Sequence, residues 1–386
     1  MAVKRTFEEI NDKIKKGKAV ILTAEEVTKM AKESSVSDVA KKVDVVTTAT
    51  FGPMCSSGAF INFGHSNPPI RMEKITLNDV AGYGGLAAVD TYIGATETSI
   101  YNEKYGGAHV IEDFIKGKKI KLVAQGKGTD CYPKKEIQTY IDKKSVNEAY
   151  MYNPRNAYQN YAAAVNSTNN IKYTYMGTLL PRLGNLTYST SGELSPLLND
   201  PEMRTIGIGT RIFLCGAQGF VSWNGTQFNT TKPKNKYGIP LSNAATLAVI
   251  GDLKQMSDKY LKAAYYEKYG VSFFIGLGIP IPVLDEEIAK FVSISNKDIQ
   301  TTIFDYGYNE RPNFGTVTYE ALLTGQIEID NKKVRTASLS SLIKAREIAD
   351  VLKKWLSKGQ FYLNQPVQHF PSKTSLHSLK ETGEDL

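Results

Sequence analysis

Residues 43–51 read VDVVTTATF and run straight into Gly52-Pro53. Apart from Asp44 the stretch is β-branched, aromatic or alanine, which is the composition of a strand buried on both faces. Such a strand needs neighbours, because its backbone N–H and C=O groups must be paired once water is gone. Partners are available along the chain: AVILT (19–23), GAFINF (58–63), IKLVAQ (120–125), IKYTYMG (171–177), RIFLCG (211–216), ATLAVIG (245–251), VSFFIGLG (271–278) and IQTTIFDY (299–306). Between several of them GAHVIEDFIKG (107–117), SDKYLKAAYYEKYG (257–270) and LDEEIAKFVS (284–293) show the three-and-four apolar spacing of helices. Thr6 with Glu9, and Thr23 with Glu26, form capping boxes that predict helices over 7–16 and 24–34. The longest helix signal is LSSLIKAREIADVLKKWLSKG, with Leu342, Ile343, Ile348, Val351, Leu352 and Trp355 on one face and Gly359 as its stop. The expected fold is α/β: mixed, partly parallel β-sheet layers with packing helices and a long C-terminal helix. A single domain over 1–365 is expected, followed by a mobile polar tail at 366–386.

Composition narrows the function. The chain has 386 residues, 41% of them hydrophobic, yet no apolar run approaches the ~20 residues of a membrane span. The N-terminus MAVKRTFEEINDKIKKGK turns into a charged amphipathic segment rather than a signal-peptide core, so a cytoplasmic protein without a membrane partner is expected. The net charge of +8 comes from 47 basic and 39 acidic residues that are interspersed, and the clusters KGKKIKL and TKPKNK are short. That pattern suits steering of anionic substrates or an acidic partner and argues against nucleic acid. GIGTRI and AGYGG fail the nucleotide-loop spacings.

Cys55, Cys131 and Cys215 stand far apart with no CxxC spacing, which excludes a zinc finger or a ferredoxin-type cluster within the chain. Cys215, inside RIFLCGAQ, reads as a small core hydrophobe. Cys131 lies in QGKGTDCYPKKE, where Gly126, Gly128, Thr129 and Asp130 form a turn that allows close backbone approach to a ligand. Pro133 and KKEIQTYI predict a helix at once, whose N-terminal dipole and lysines would lower the thiol pKa. Cys55 follows a buried strand in FGPMCSSGAF, beside the donors of Ser56 and Ser57. His65 and His109 are candidate proton carriers, or hydrogen-bonded structural groups; His369 and His377 belong to the tail. Asp90, Glu97 and Asp130 are candidates for holding a substrate amine, and Arg71, Arg182 and Arg211 for a carboxylate. The 22 tyrosines are scattered without a basic stripe and read as packing.

The pieces TTATFGPMCSSGAFINFGHSNPPI, GYGGLAAVDTYIGAT, YGGAHVIEDFIKGK and AQGKGTDCYPKKE together resemble the homocysteine-biosynthesis proteins, aspartate semialdehyde sulfurtransferases of anaerobic archaea and bacteria, over residues 5–365. The resemblance implies insertion of sulfide into L-aspartate semialdehyde to give L-homocysteine. It implies Cys131 as the persulfide-bearing cysteine and Cys55 as the second functional cysteine. It also implies electrons from a small ferredoxin-like iron–sulfur protein, as external reductant, with no firmly bound cofactor. Some members carry C-terminal CBS modules, which this chain is expected to lack. As a working chemistry, the Cys131 persulfide attacks the aldehyde, N–H groups of the 126–130 turn hold the oxyanion, and Cys55 resolves or relays the persulfide. Two other readings stay open: a non-enzymatic persulfide carrier or scaffold for the iron–sulfur partner, and a [4Fe–4S] cluster held by Cys55, Cys131 and Cys215. A homo-oligomer is compatible with all of them.

Overall fold

The computed structural model describes residues 3–380; residues 1–2 and the last part of the expected tail, 381–386, lie outside the described residues. The β-branched run becomes the strand Val45–Pro53, and it sits in a fourteen-stranded sheet. Across that sheet the order is Ile21–Thr23, Val45–Pro53, Gly270–Pro282, Arg211–Leu214, Ala217–Asn224, Leu247–Asp252, Glu148–Asn156, Gly58–Asn62, Asp90–Gly94, Val80–Tyr83, Lys74–Leu77, Ile120–Gln125 and Glu136–Ile141. Leu261–Tyr266 pairs with the thirteen-residue strand Gly270–Pro282 off this path. A second, six-stranded sheet runs Asn313–Thr318, Gln300–Asp305, Ala163–Val165, Asn185–Tyr188, Lys332–Ser338, Gln326–Ile329, and has its own apolar cluster around Tyr319 and Leu186.

The sheets are mixed as expected. Ile21–Thr23 runs parallel to Val45–Pro53, Ala163–Val165 to Gln300–Asp305, and Asn185–Tyr188 to Lys332–Ser338, while the remaining pairs between named strands are antiparallel. The two capping boxes form, Thr6 and Thr23 each accepting from the N–H three residues on while Glu9 and Glu26 reach back. The C-terminal helix Leu342–Ser357 buries Ala345, Ile348, Ala349, Leu352 and Leu356 against Val45–Pro53 and Gly270–Pro282. Its seat depends on Gly276, where an added Cβ would come within 2.8 Å of the Ile348 side chain. Ile343, expected on the buried face, is 77% exposed.

Two expected helices are strands. Residues 257–270 form Leu261–Tyr266, joined to Gly270–Pro282 by a tight turn in which Lys268 takes a positive φ of 54°. The three-and-four apolar spacing of LKAAYY is equally a period of two, and two adjacent tyrosines favour the pleated surface. Likewise KKEIQTYI makes no helix after Pro133 but the strand Glu136–Ile141, hairpinned to Ile120–Gln125 with Gln125 opposite Glu136. The stretch from 366 is tied down in part: Val367 N–H donates to the Ile208 carbonyl and Ile208 N–H to the Gln368 carbonyl, each at 2.9 Å, Phe370 packs on Phe228, and Thr374 N–H donates to the Thr230 hydroxyl. No described helix is long and apolar enough to cross a membrane.

Candidate active site

The chain turns at Met54–Ser57 between two buried strands. Ser57 N–H donates to the Met54 carbonyl at 3.1 Å, the Ser57 hydroxyl donates to the same oxygen at 2.7 Å, and Met54 N–H is held by the Phe273 carbonyl at 2.7 Å. Cys55 and Ser56 are thereby lifted out of the sheet as the central residues of a fixed turn. Ser56 donates to the Asn153 side-chain oxygen at 3.3 Å, and Arg155 N–H donates to that oxygen at 2.8 Å, so the cysteine turn is tied to the strand Glu148–Asn156. Ser57 itself is buried and spent on the turn.

Half-buried Cys55 lies on the wall of a cavity of about 600 Å³ between the two sheets, whose lining includes Arg155, Tyr158, Tyr161, Tyr175, Tyr269, Tyr306 and Arg311. The rings interlock: Tyr158 and Tyr161 at 4.7 Å, Tyr175 and Tyr306 at 5.8 Å, Tyr175 and Tyr269 at 6.3 Å between centroids. The hydroxyls of Tyr175 and Tyr306 are hydrogen-bonded at 2.9 Å. The Tyr269 hydroxyl, 3.9 Å from the Cys55 sulfur, donates to it. Burial, helped by the neighbouring thiol, pushes Tyr266 up to about 12 and raises Tyr269; burial also raises Tyr158, Tyr161 and Tyr306. Phenols held above their ordinary range stay protonated, so Cys55 faces a wall of neutral donors and rings.

Cys131 has a different setting. Thr129 and Tyr132 exchange backbone bonds at 2.9 and 3.0 Å across the tip of the Ile120–Gln125/Glu136–Ile141 hairpin, and the Thr129 hydroxyl also accepts from Tyr132 N–H. Asp130 and Cys131 are the exposed central residues of that turn. Gly126 N–H is taken by the Lys135 carbonyl, so together with Thr129 two of the donors expected to hold an oxyanion are occupied. Gly128 bends the loop at φ 73°. The hairpin leans on the loop after Gly58–Asn62: Lys134 N–H bonds the Pro69 carbonyl, and exposed His65 stacks on Tyr132 at 6.1 Å. His65 thus belongs with Cys131. His109 does neither thing; its Nδ1 accepts from Gly106 N–H at 3.2 Å at the start of the helix Gly107–Ile115, and burial lowers its pKa.

The two thiols are not a pair in this conformation. The five residues Gly58–Asn62, roughly 16 Å of strand, separate the Cys55 turn from the loop that supports the Cys131 hairpin. Cys131 lines neither cavity that Cys55 lines. Cys215 is fully buried, its N–H on the Gly276 carbonyl and its thiol pushed up to about 12 by burial. Among the described residues no group of three or more His, Cys, Asp or Glu side chains is placed to hold a metal ion, so the three cysteines do not converge as cluster ligands. Asp90 accepts from Asn62, Arg182 donates to Asn169, and Arg211 lies over Phe361, all away from the cavity. The residues that do line it, five tyrosines with Arg155 and Arg311, were missed because their sequence positions span 155–311. The nearest signal was NPRNAYQNYAAA, which places Arg155, Tyr158 and Tyr161 close together in the chain.

A family described as homocysteine biosynthesis enzyme, sulfur-incorporation, matches residues 19–363. The chain belongs to that family. It is 48% identical over 383 residues to the L-aspartate semialdehyde sulfurtransferase of Methanosarcina acetivorans, covering 98% of this chain and 75% of that protein. It is 50% identical over 383 residues to the protein of the same name in Methanocaldococcus jannaschii, with coverages of 95% and 73%. A Methanothermobacter thermautotrophicus protein described as uncharacterized is 28% identical over 353 residues. No solved structure matches. Membership of this family makes the chain an enzyme, a sulfurtransferase of homocysteine biosynthesis.

Proposed function

We propose that this enzyme inserts sulfur into L-aspartate semialdehyde to form L-homocysteine at Cys55. The observation that carries the reading is the Cys55 thiol on the wall of the tyrosine cavity, with the Tyr269 hydroxyl donating to its sulfur. An aldehyde bound there meets a sulfur nucleophile and several neutral O–H donors able to stabilise the developing alkoxide. The names of the two similar sulfurtransferases supply the substrate.

The overall reaction joins the aldehyde with hydrosulfide, two electrons and three protons, giving the thiol and water. Hydrosulfide used directly therefore forms no persulfide: it adds to the aldehyde, water leaves, and one electron pair, assigned to an external iron–sulfur protein, gives the thiol. Sulfur that arrives already oxidised, by exchange of a delivery protein's persulfide with a cysteine thiolate that releases the donor as its thiolate, requires a second electron pair from the same source to cleave the S–S bond. In this reading exposed Cys131 carries persulfide where a delivery protein can reach it, and Cys55 acts on the substrate. Hand-over between them requires movement of the hairpin or a second copy of the chain, because Gly58–Asn62 keeps them apart within this conformation.

The test is homocysteine formation from sulfide, L-aspartate semialdehyde and a low-potential reductant. The unaltered enzyme is expected to form it and Cys55→Ser to lose it. A Cys55→Ser protein that keeps full activity under these conditions would remove the centre proposed here.

A further inference from the structure

The cavity holds two arginines that the chemistry so far leaves idle. Arg155 and Arg311 both line it, and among the described residues the partners of their guanidinium groups are hydroxyls and rings, not carboxylates. Arg155 Nε donates to the Thr226 hydroxyl at 3.0 Å; Arg311 Nη1 donates to the Tyr175 hydroxyl at 3.1 Å, and its Cζ lies 4.4 Å from the Tyr306 centroid. A guanidinium held by stacking and one hydroxyl keeps most of its fork of donors free, and that fork matches a carboxylate.

Position separates their roles. Arg155 shares with Cys55 the inner recess formed with Ser56, Tyr158 and Tyr161, whereas Arg311 lines only the wider outer part of the cavity. When an amino-acid aldehyde brings its carbonyl carbon to Cys55, its α-carboxylate points away from the thiol toward the outer part. Building on the function proposed above, we propose that Arg311 is the residue that binds the substrate's α-carboxylate and so selects an amino-acid aldehyde over a simple aldehyde or amine-bearing aldehyde. Glu310, on the same loop and lining the same cavity, offers the opposite charge to the ammonium. The loop between the strands Gln300–Asp305 and Asn313–Thr318 thus reads the amino-acid end, while the Cys55 turn performs the chemistry.

The test compares L-aspartate semialdehyde with 3-aminopropanal, the same aldehyde without its carboxylate. Arg311→Gln is expected to lower kcat/KM for L-aspartate semialdehyde about a hundredfold, mainly through KM. It should leave the slower turnover of 3-aminopropanal unchanged, and Arg311→Lys should recover about tenfold of the loss by restoring charge without the fork. Arg311 is exposed on its loop, and thermal melts of both variants matching the unaltered enzyme would confirm that the fold is kept. Equal losses on both aldehydes, or no loss on either while homocysteine is still made, would overturn the assignment of Arg311 alone. Absence of homocysteine with the unaltered enzyme would instead overturn the function on which it rests.

Discussion

Two turns of this enzyme carry a cysteine in nearly the same backbone setting and with opposite surroundings. Met54–Ser57 and Thr129–Tyr132 each close with an N–H to C=O bond three residues back, and each presents its thiol from a central position. The first turn lies between strands of a buried sheet region and is faced by tyrosines from the loops that join strands; the second crowns an edge hairpin and has no cover. Local geometry therefore does not decide what a cysteine does here. What the rest of the fold stacks over it does: a covered thiol can work on a bound small molecule away from water, and a bare one can meet a protein.

The sharpest way to break this comparison is to remove each sulfur in turn. Cys55→Ser should cut homocysteine formation by on the order of a thousandfold whatever the sulfur source. Cys131→Ser should lose comparably when sulfur comes from a delivery protein, but remain within about tenfold of the unaltered enzyme with excess sulfide and a small reductant, since the cavity then loads directly. Equal behaviour of the two variants under both conditions would erase the distinction. Alkylation gives the next largest contrast: iodoacetamide should modify Cys131 at least about tenfold faster than Cys55, and Cys215 only after unfolding, as peptide mass mapping over time would show. Substrate should protect Cys55 and leave Cys131 unchanged.

A smaller effect tests the hairpin's support. An added Cβ at Gly126 would lie 2.2 Å from the Arg71 carbonyl oxygen. Gly126→Ala should therefore cost about 1–3 kcal/mol in denaturant melts, and alter the alkylation rate of Cys131 but not that of Cys55. The smallest concerns the roof. Tyr266 is held up to about 12, and Tyr269 and Tyr306 are raised as well, so the folded enzyme keeps protons that the unfolded chain releases near pH 10. Stability present below pH 10 is then lost progressively toward pH 12, because the unfolded chain binds fewer protons there. A melting temperature that falls by a few degrees between pH 9 and pH 11, with tyrosinate absorbance from these residues appearing only on unfolding, is the expected record.

Most of the scaffold was legible in the residues, and the parts that were not share one cause. Capping boxes at Thr6 and Thr23, the β-branched run at 45–53 and the stop at Gly359 are local signals, and local signals survived. LKAAYY and EIQTYI were misjudged as helices because their pattern fits either period, and the deciding factor was a neighbouring strand whose register, Leu261 against Ile275 or Ile120 against Ile141, no short window contains. The site divides the same way. Both candidate cysteines stand out in their turns, but the helix expected beside Cys131 is absent, and the tyrosines and arginines that give Cys55 its cavity come from four separate segments of chain. Assembly by tertiary pairing leaves no spacing to read.

The pairing of Val45–Pro53 with Gly270–Pro282 has a consequence in time as well as space. Cys55 and the tyrosine whose hydroxyl meets its sulfur are 214 residues apart in sequence. At synthesis rates of 5–20 residues per second, the thiol waits roughly ten to forty seconds on the ribosome before its cover can form. Contacts of such sequence separation also close slowly after release. During that interval Cys55 is as open to oxidants as Cys131 remains throughout the life of the enzyme. A newly made chain is consequently vulnerable at a thiol that the finished fold shields, and exposure of cells to oxidant should modify Cys55 in nascent chains before it modifies Cys55 in the mature population.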